Sequence, residues 1–297
     1  MSTLQRLPAR KTLLGVDTPI LRALPHRERR MVGAWCFLDH LGPTQFAPGD
    51  GMHVGAHPHI GLQTFTWMIE GEVMHRDSLG HEQVIRPGQV NLMTAGHGIA
   101  HTEDSAADGA RMHAAQLWIA LPDAERDRPP AFQNHPVLPV RSLEGWQVTV
   151  LAGSALGATS PVQVFTPLVG LELKTEAAGT VTLPLDPAFE HAAMVLEGEA
   201  WVAGERLDAD ELLYLPPGAD SVALRSEGPL RLLWLGGQPW ADAPILLWWN
   251  FVGRSQDALQ TALQAWEQGS ARFGTVRPGS PAPRLQAPSL QGVHLKP

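Results

Sequence analysis

Two short stretches hold the side chains best suited to chemistry, GAHPHIG at 55–61 and GHGIAHTE at 96–103. Each sets two ligand-type residues two positions apart, His57 with His59 and His101 with Glu103. On an extended strand, residues two apart point to the same face, so each pair projects as a unit. Two neighbouring strands of a barrel would aim three imidazoles and one carboxylate at a common point. That donor set, without a thiolate, suits Fe(II), Mn, Ni, Cu or Zn, and four protein ligands leave an octahedral ion two open positions. The neighbourhood is rich in the same donor, since nine of the 13 histidines fall between His40 and His113.

Composition narrows the setting. A chain of 297 residues exceeds what one core usually fills, roughly 150 to 250 residues, which favours two domains. Gly 29 and Pro 26 are numerous and aperiodic, so many turns and many short strands are expected. The formal charge of -8, with no block of lysine and arginine, leaves no footprint for a phosphate backbone and excludes direct nucleic-acid binding. Cys36 is the single cysteine and cannot close an intrachain disulfide; between apolar neighbours in AWCFLD it reads as core. The opening MSTLQRLPARKTLLG lacks the apolar run of a secretory signal, and PILLWWNFVG from Pro244 is short of the roughly 20 residues a membrane span needs. A soluble, cytoplasmic monomer is expected.

The elements that must present the ligands follow from pattern. QTFTWMIEGEVMHRDSLGHEQVI, from Gln63, alternates β-branched and aromatic runs with turn chemistry and reads as antiparallel strands. By strand parity Gln63, Phe65 and Trp67 share the face of His59 and become candidate pocket residues. HRD at His75–Asp77 resembles a kinase catalytic loop, but Glu82 stands where that loop needs asparagine, so it reads as a hairpin turn. GHGIAH opens like a dinucleotide-binding loop, but His101 replaces the third glycine and no βαβ unit surrounds it.

Prolines 129, 130, 136 and 139 mark a connection, which places an N-terminal domain at 1–137 and a C-terminal domain at 138–297. The second half repeats the first: MIEGEV from Met68 is echoed by VLEGEA from Val195, and GQVNLMTAG, ending at Gly96, by DELLYLPPG, ending at Gly218. Aligned on these echoes, Pro184, Asp186, Ala223 and Arg225 fall opposite His57, His59, His101 and Glu103, and His191 opposite Thr64, so the second copy has no ligands and one metal per chain is expected. A helix at about 256–268 closes the fold, with Ser255 as N-cap, Leu259, Ala262, Leu263 and Trp266 on one face and Gly269 as stop. The proline-rich tail after it is either a packed arm or loose.

GAHPHIGLQTFTWMIEGEVMHRDSLG and RPGQVNLMTAGHGIAHTE resemble the two cupin motifs in the form typical of the pirin family, and NFVGRS, the helix and RFG resemble its C-terminal end. The resemblance implies an all-β chain of two cupin barrels with a C-terminal helix, binding one mononuclear metal, Fe(II), through His57, His59, His101 and Glu103. It also implies quercetinase-type dioxygenase activity on a flavonol with dioxygen, with Glu103 as ligand and base. The other activity it implies is a non-catalytic, iron-dependent module that binds a protein partner. Two positions depart from common patterns. Gln63 stands where many cupins have a glutamate ligand, and His97, a further candidate pocket residue, stands where many pirins have arginine.

Overall fold

The computed structural model describes residues 4–15 and 18–296. Its strands form two barrels of one design, each a seven-stranded sheet and a four-stranded sheet, all antiparallel in the registers that follow. In the first barrel the large sheet runs Ala131–His135, Val90–Thr94, Leu62–Glu70, Arg111–Ala120, Trp35–Gln45, Thr18–Leu24 and Arg10–Leu14; the small one runs His53–His59, Ile99–Ser105, Val73–Asp77 and Glu82–Ile85. In the second, the large sheet runs Gln5–Pro8, Glu211–Leu215, Glu190–Glu197, Leu230–Gly237, Leu168–Thr175, Trp146–Ala152 and Val140–Leu143, and the small one Gly179–Pro184, Ser221–Ser226, Ala200–Val202 and Glu205–Leu207. Apart from the edge strand, Ala131–His135 in one and Gln5–Pro8 in the other, strand order is the same in both, so the echoes in the sequence mark a true structural repeat.

The compact units do not follow a single cut at 137. One unit comprises residues 1–12, 21–40 and 137–240, and the other 13–20, 41–136 and 241–297. Three segments depart from the partition read from sequence: 1–12 and 21–40 fall with the second barrel, and 241–297 with the first. Gln5–Pro8 pairs with Glu211–Leu215 of the second barrel, and the C-terminal helix belongs with the first barrel. Backbone pairing and an apolar stripe choose partners by complementarity, not by proximity along the chain, so neither assignment is written in the order of the segments.

The helix spans Gln256–Glu267; Ser255 accepts from the Ala258 amide at 3.2 Å, and Leu259, Ala262, Leu263 and Trp266 are buried, as their spacing predicts. Its apolar face joins Ile60, Ala100, Phe251 and Phe273 in one cluster. Ile60 and Ala100 are the chain neighbours of His59 and His101, so the helix packs behind the strands that carry those histidines. Burying side chains such as Leu263 and Trp266 contributes roughly 1.5–3 kcal/mol each.

Inside the barrel, Val54, Met68, Val73, Ile85, Met112 and Ala114 fill one apolar core. The tail packs on the barrel. The Leu285 amide donates to the Ala56 carbonyl at 2.9 Å, and Ser280 donates to Asp104 at 2.8 Å. The tail therefore covers the free edge of His53–His59, an exposed row of backbone groups that would otherwise invite foreign pairing. Gly55 is required at the contact, since a Cβ there would lie 1.8 Å from the Pro283 carbonyl oxygen. Gly55→Ala is predicted to displace the tail and lower stability by about 1–3 kcal/mol. Thermal melting with limited proteolysis after residue 275 measures this, and an unchanged melt with a protected tail would show that the contact is unimportant.

Candidate metal centre

Register brings His57, His59 and His101 together. Ile99–Ser105 pairs with His53–His59 so that Ile99 faces His59, Ala100 faces Pro58 and His101 faces His57. Directly opposed residues share a face of the sheet, and His59 joins by the two-residue step. The three imidazoles meet with centroids 4.3 Å (His57–His101), 5.0 Å (His59–His101) and 5.1 Å (His57–His59) apart. One ring nitrogen from each lies within 4.8 Å of the others. The Nε2 atoms of His59 and His101 are 3.1 Å apart. None of the three rings is more than 6% exposed.

Burial determines their charge. It pushes the His57 imidazole down to about 4, the Gly55 hydrogen bond opposing and the His75 neighbour adding. His59 and His101 are held well below the ordinary value, first by burial and then by the imidazoles around them. His57 Nδ1–H donates to the Gly55 carbonyl at 2.8 Å, which leaves Nε2 as its lone-pair atom. The result is three neutral donors crowded into a dry interior.

Glu103 is placed by the other neighbour of its strand. Along Val73–Asp77 the register is regular, His101 opposite Asp77 and Glu103 opposite His75, so Glu103 projects on the face of His101; along His53–His59 it slips between His101 and Glu103. Its carboxyl lies outside the 4.8 Å imidazole group. Burial first, and the Asp104 charge second, push it up to about 7. Among the described residues the Glu103 carboxylate has no hydrogen-bond or ion-pair partner. A partnerless inward carboxylate beside three neutral imidazoles is a donor set that a divalent cation would complete. The residues therefore fit a metal.

Comparison with known proteins agrees with this geometry. Residues 17–119 match the pirin family and residues 170–274 the pirin C-terminal cupin domain. The chain belongs to the pirin family. It is 53% identical over 287 residues, 97% of this chain and 90% of the relative, to a protein of Pseudomonas aeruginosa that carries the provisional name quercetin 2,3-dioxygenase. A pirin-like protein of Caulobacter vibrioides is 37% identical over 273 residues, 89% of this chain and 93% of that one. A crystal structure of quercetin 2,3-dioxygenase from Acinetobacter baumannii superposes with a TM-score of 0.95 at 50% identity, covering 98% of this chain and 97% of that one.

The walls of this pirin site differ from the parity reading. Trp118 lies with its ring 5.3 Å from His59, and Phe132 stacks on His75 at 4.3 Å and 12°. Thr64 is registered opposite both Trp118 and Met93, and Met93 opposite Phe132, so these four share the inward face. Gln63, Phe65 and Trp67 alternate with Thr64 and therefore point to the other face, where Gln63 donates to Thr94 at 2.9 Å. Parity did not carry across Gly61. At φ +69 that glycine turns the chain out of the small sheet into the large one, which resets the alternation. His97 is exposed on the turn after Gly96, its Nδ1–H donating to the Arg128 carbonyl at 3.1 Å, and it does not line the cluster.

Two buried groups were misread in the sequence. His75 and Asp77 lie on the strand Val73–Asp77, not in the hairpin turn, and are 3% and 1% exposed. The turn begins only after Asp77. Their H-x-D spacing, like that of the ligand pairs, was the available signal. In the second barrel Pro184 is registered opposite Ser221 and Thr182 opposite Ala223. The counterparts of His57 and His59 are therefore Thr182 and Pro184, two positions from the sequence alignment. Among the described residues no second cluster of three donors forms.

The buried imidazoles make stability depend on pH. The unfolded chain takes up a proton at His57 below about 6.5, whereas the folded site resists until about 4, so the metal-free protein loses stability as pH falls through that window. His57→Gln is predicted to remove on the order of 3 kcal/mol of this dependence. Urea unfolding of both metal-free proteins from pH 7 to pH 4 checks it; parallel curves would mean that His57 takes up its proton as easily in the folded state.

Proposed function

We propose that this pirin is an Fe(II)-dependent flavonol 2,3-dioxygenase, with His57, His59, His101 and Glu103 holding the ion. One observation carries the reading: three buried imidazoles bring a nitrogen each within 4.8 Å of one another, and Glu103 projects on the face of His101 beside them. Half-identical relatives that bear the quercetin 2,3-dioxygenase name support it. When bound, the metal supplies Lewis-acid polarisation of the substrate and electron donation to dioxygen.

The chain's own groups do the rest. Glu103 projects on the face of His101, where its carboxylate is placed to take the proton of the flavonol 3-hydroxyl. The neutral imidazoles cannot compete for that proton, because burial disfavours their cationic forms. Trp118 and Phe132 offer flat apolar walls to a planar aromatic substrate. An Fe(II) site together with one buried free cysteine, Cys36, fits a reducing, cytoplasmic setting.

Metal analysis after anaerobic loading is predicted to return one equivalent per chain, and two equivalents would mean that the second barrel also binds. His59→Ala and His101→Ala are predicted to lose the ion and keep the fold by circular dichroism. Glu103→Gln is predicted to lower flavonol turnover per bound iron by about 10²–10⁴-fold, since it removes the base. Flavonol absorbance, followed on admitting oxygen with iron quantified in each sample, measures this. Unchanged turnover in Glu103→Gln would move the base to another group. A fully loaded wild type inactive on every flavonol would replace the dioxygenase reading with an iron-dependent module that binds a protein partner.

A further inference from the structure

Behind His101 lies a chain of buried side chains that metal ligation does not itself require. His101 Nδ1 is 3.3 Å from His75 Nδ1, and His75 Nε2 is 3.2 Å from Asp77 Oδ2. Asp77 is also the acceptor for the Leu79 and His81 amides at 2.9 and 3.1 Å and for His81 Nδ1 at 3.0 Å. Phe132 stacks on the His75 ring and holds its plane. With both nitrogens engaged, His75 has no atom left to offer a metal.

The direction of these bonds is fixed by chemistry. Four N–H groups converge on Asp77, so its carboxylate accepts, and His75 must carry its hydrogen on Nε2. Its Nδ1 then holds a lone pair. The Nδ1–Nδ1 contact is a hydrogen bond only if His101 carries its own hydrogen on Nδ1. That leaves the lone pair of His101 on Nε2, the atom 3.1 Å from His59 Nε2. His57 reaches the same state through the Gly55 carbonyl; His101 reaches it through two side chains.

We propose that Asp77 and His75 are positioning residues that set the tautomer of His101 and keep its Nε2 lone pair on the metal, a proposal that rests on reading His101 as a ligand. In Asp77→Asn the new amide can turn its NH2 toward His75 Nε2. His75 then carries its hydrogen on Nδ1, and His101 is driven to carry its own on Nε2, where it blocks coordination. Replacing His75 with glutamine restores an acceptor for His101 Nδ1–H that does not depend on Asp77.

The test uses Zn(II) affinity by chelator competition, with ring nitrogens assigned by ¹⁵N NMR of the Zn(II)-loaded protein; neither depends on turnover. Asp77→Asn is predicted to weaken binding about 10–100-fold, and Asp77→Asn with His75→Gln to recover most of it. His75→Gln alone should stay near wild type while His75→Leu falls with Asp77→Asn. Removing the same charge from an exposed site, Glu82→Gln, should change affinity less than about twofold. The wild-type spectrum should show His101 protonated at Nδ1 and bonded to the ion at Nε2. A folded Asp77→Asn with wild-type affinity, or His101 bonded through Nδ1, would overturn the proposal. If Asp77→Asn does not fold, His75→Gln and His75→Leu decide, and equal affinities would overturn it. A wild type that binds no Zn(II) or Fe(II) would instead fault the metal reading, and bound metal without flavonol turnover would fault only the dioxygenase.

Discussion

Three imidazoles with nitrogens inside 4.8 Å of one another can share a dry interior only if none is charged. Much of the site follows from that crowding. Neutral rings must each place one hydrogen somewhere, and the structure supplies an acceptor outside the cluster for His57 and His101, the Gly55 carbonyl and His75. The strands are backed by an apolar cluster on the outer side and covered along their free edge by the tail. A divalent cation among them would draw these lone pairs onto one point.

The second barrel shows the same frame without that demand. Thr182, Pro184, Ala223 and Arg225 stand at the equivalent places, and the core is a continuous apolar cluster built around Trp234, Leu171, Leu173 and Val195. Its buried carboxylate, Glu190, contrasts with Glu103. Glu190 accepts from the Gly33 amide at 2.6 Å and the Tyr214 hydroxyl at 2.7 Å, with the Arg29 guanidinium at 3.5 Å. A buried charge satisfied on every side is a structural pin, whereas one left partnerless on an inward face is available for chemistry.

Within the first barrel the interior is divided along its length. Val54, Met68, Val73, Ile85 and Ala114 pack one region, and the other is polar, holding His57, His59, His101, His75, Asp77 and the rings of Trp118 and Phe132. Alternation makes this possible, because one strand sends His75 inward two steps from Val73. Packing at one end holds strand register, and register is what places His101 opposite His57.

The sequence alone determined the paired side chains at 57/59 and 101/103, the repeat, the all-β class and the helix, because each is a local pattern: a two-residue step, an echoed turn or an apolar stripe with its cap. Tertiary structure decided everything that depends on which strand lies beside which. Parity projected Gln63, Phe65 and Trp67 into the site, but the turn at Gly61 moves the chain to another sheet and exchanges the faces, so Thr64 points inward instead. His75 and Asp77 looked like turn residues because the hairpin turn begins three residues later than composition suggested, at Ser78. His97, adjacent in sequence, is turned to solvent by the same turn that presents His101. Gln5–Pro8 and the C-terminal helix joined barrels distant in the chain. Side-chain periodicity is an intra-strand property, whereas partner choice and strand register arise from long-range pairing, whose complementarity no single segment contains.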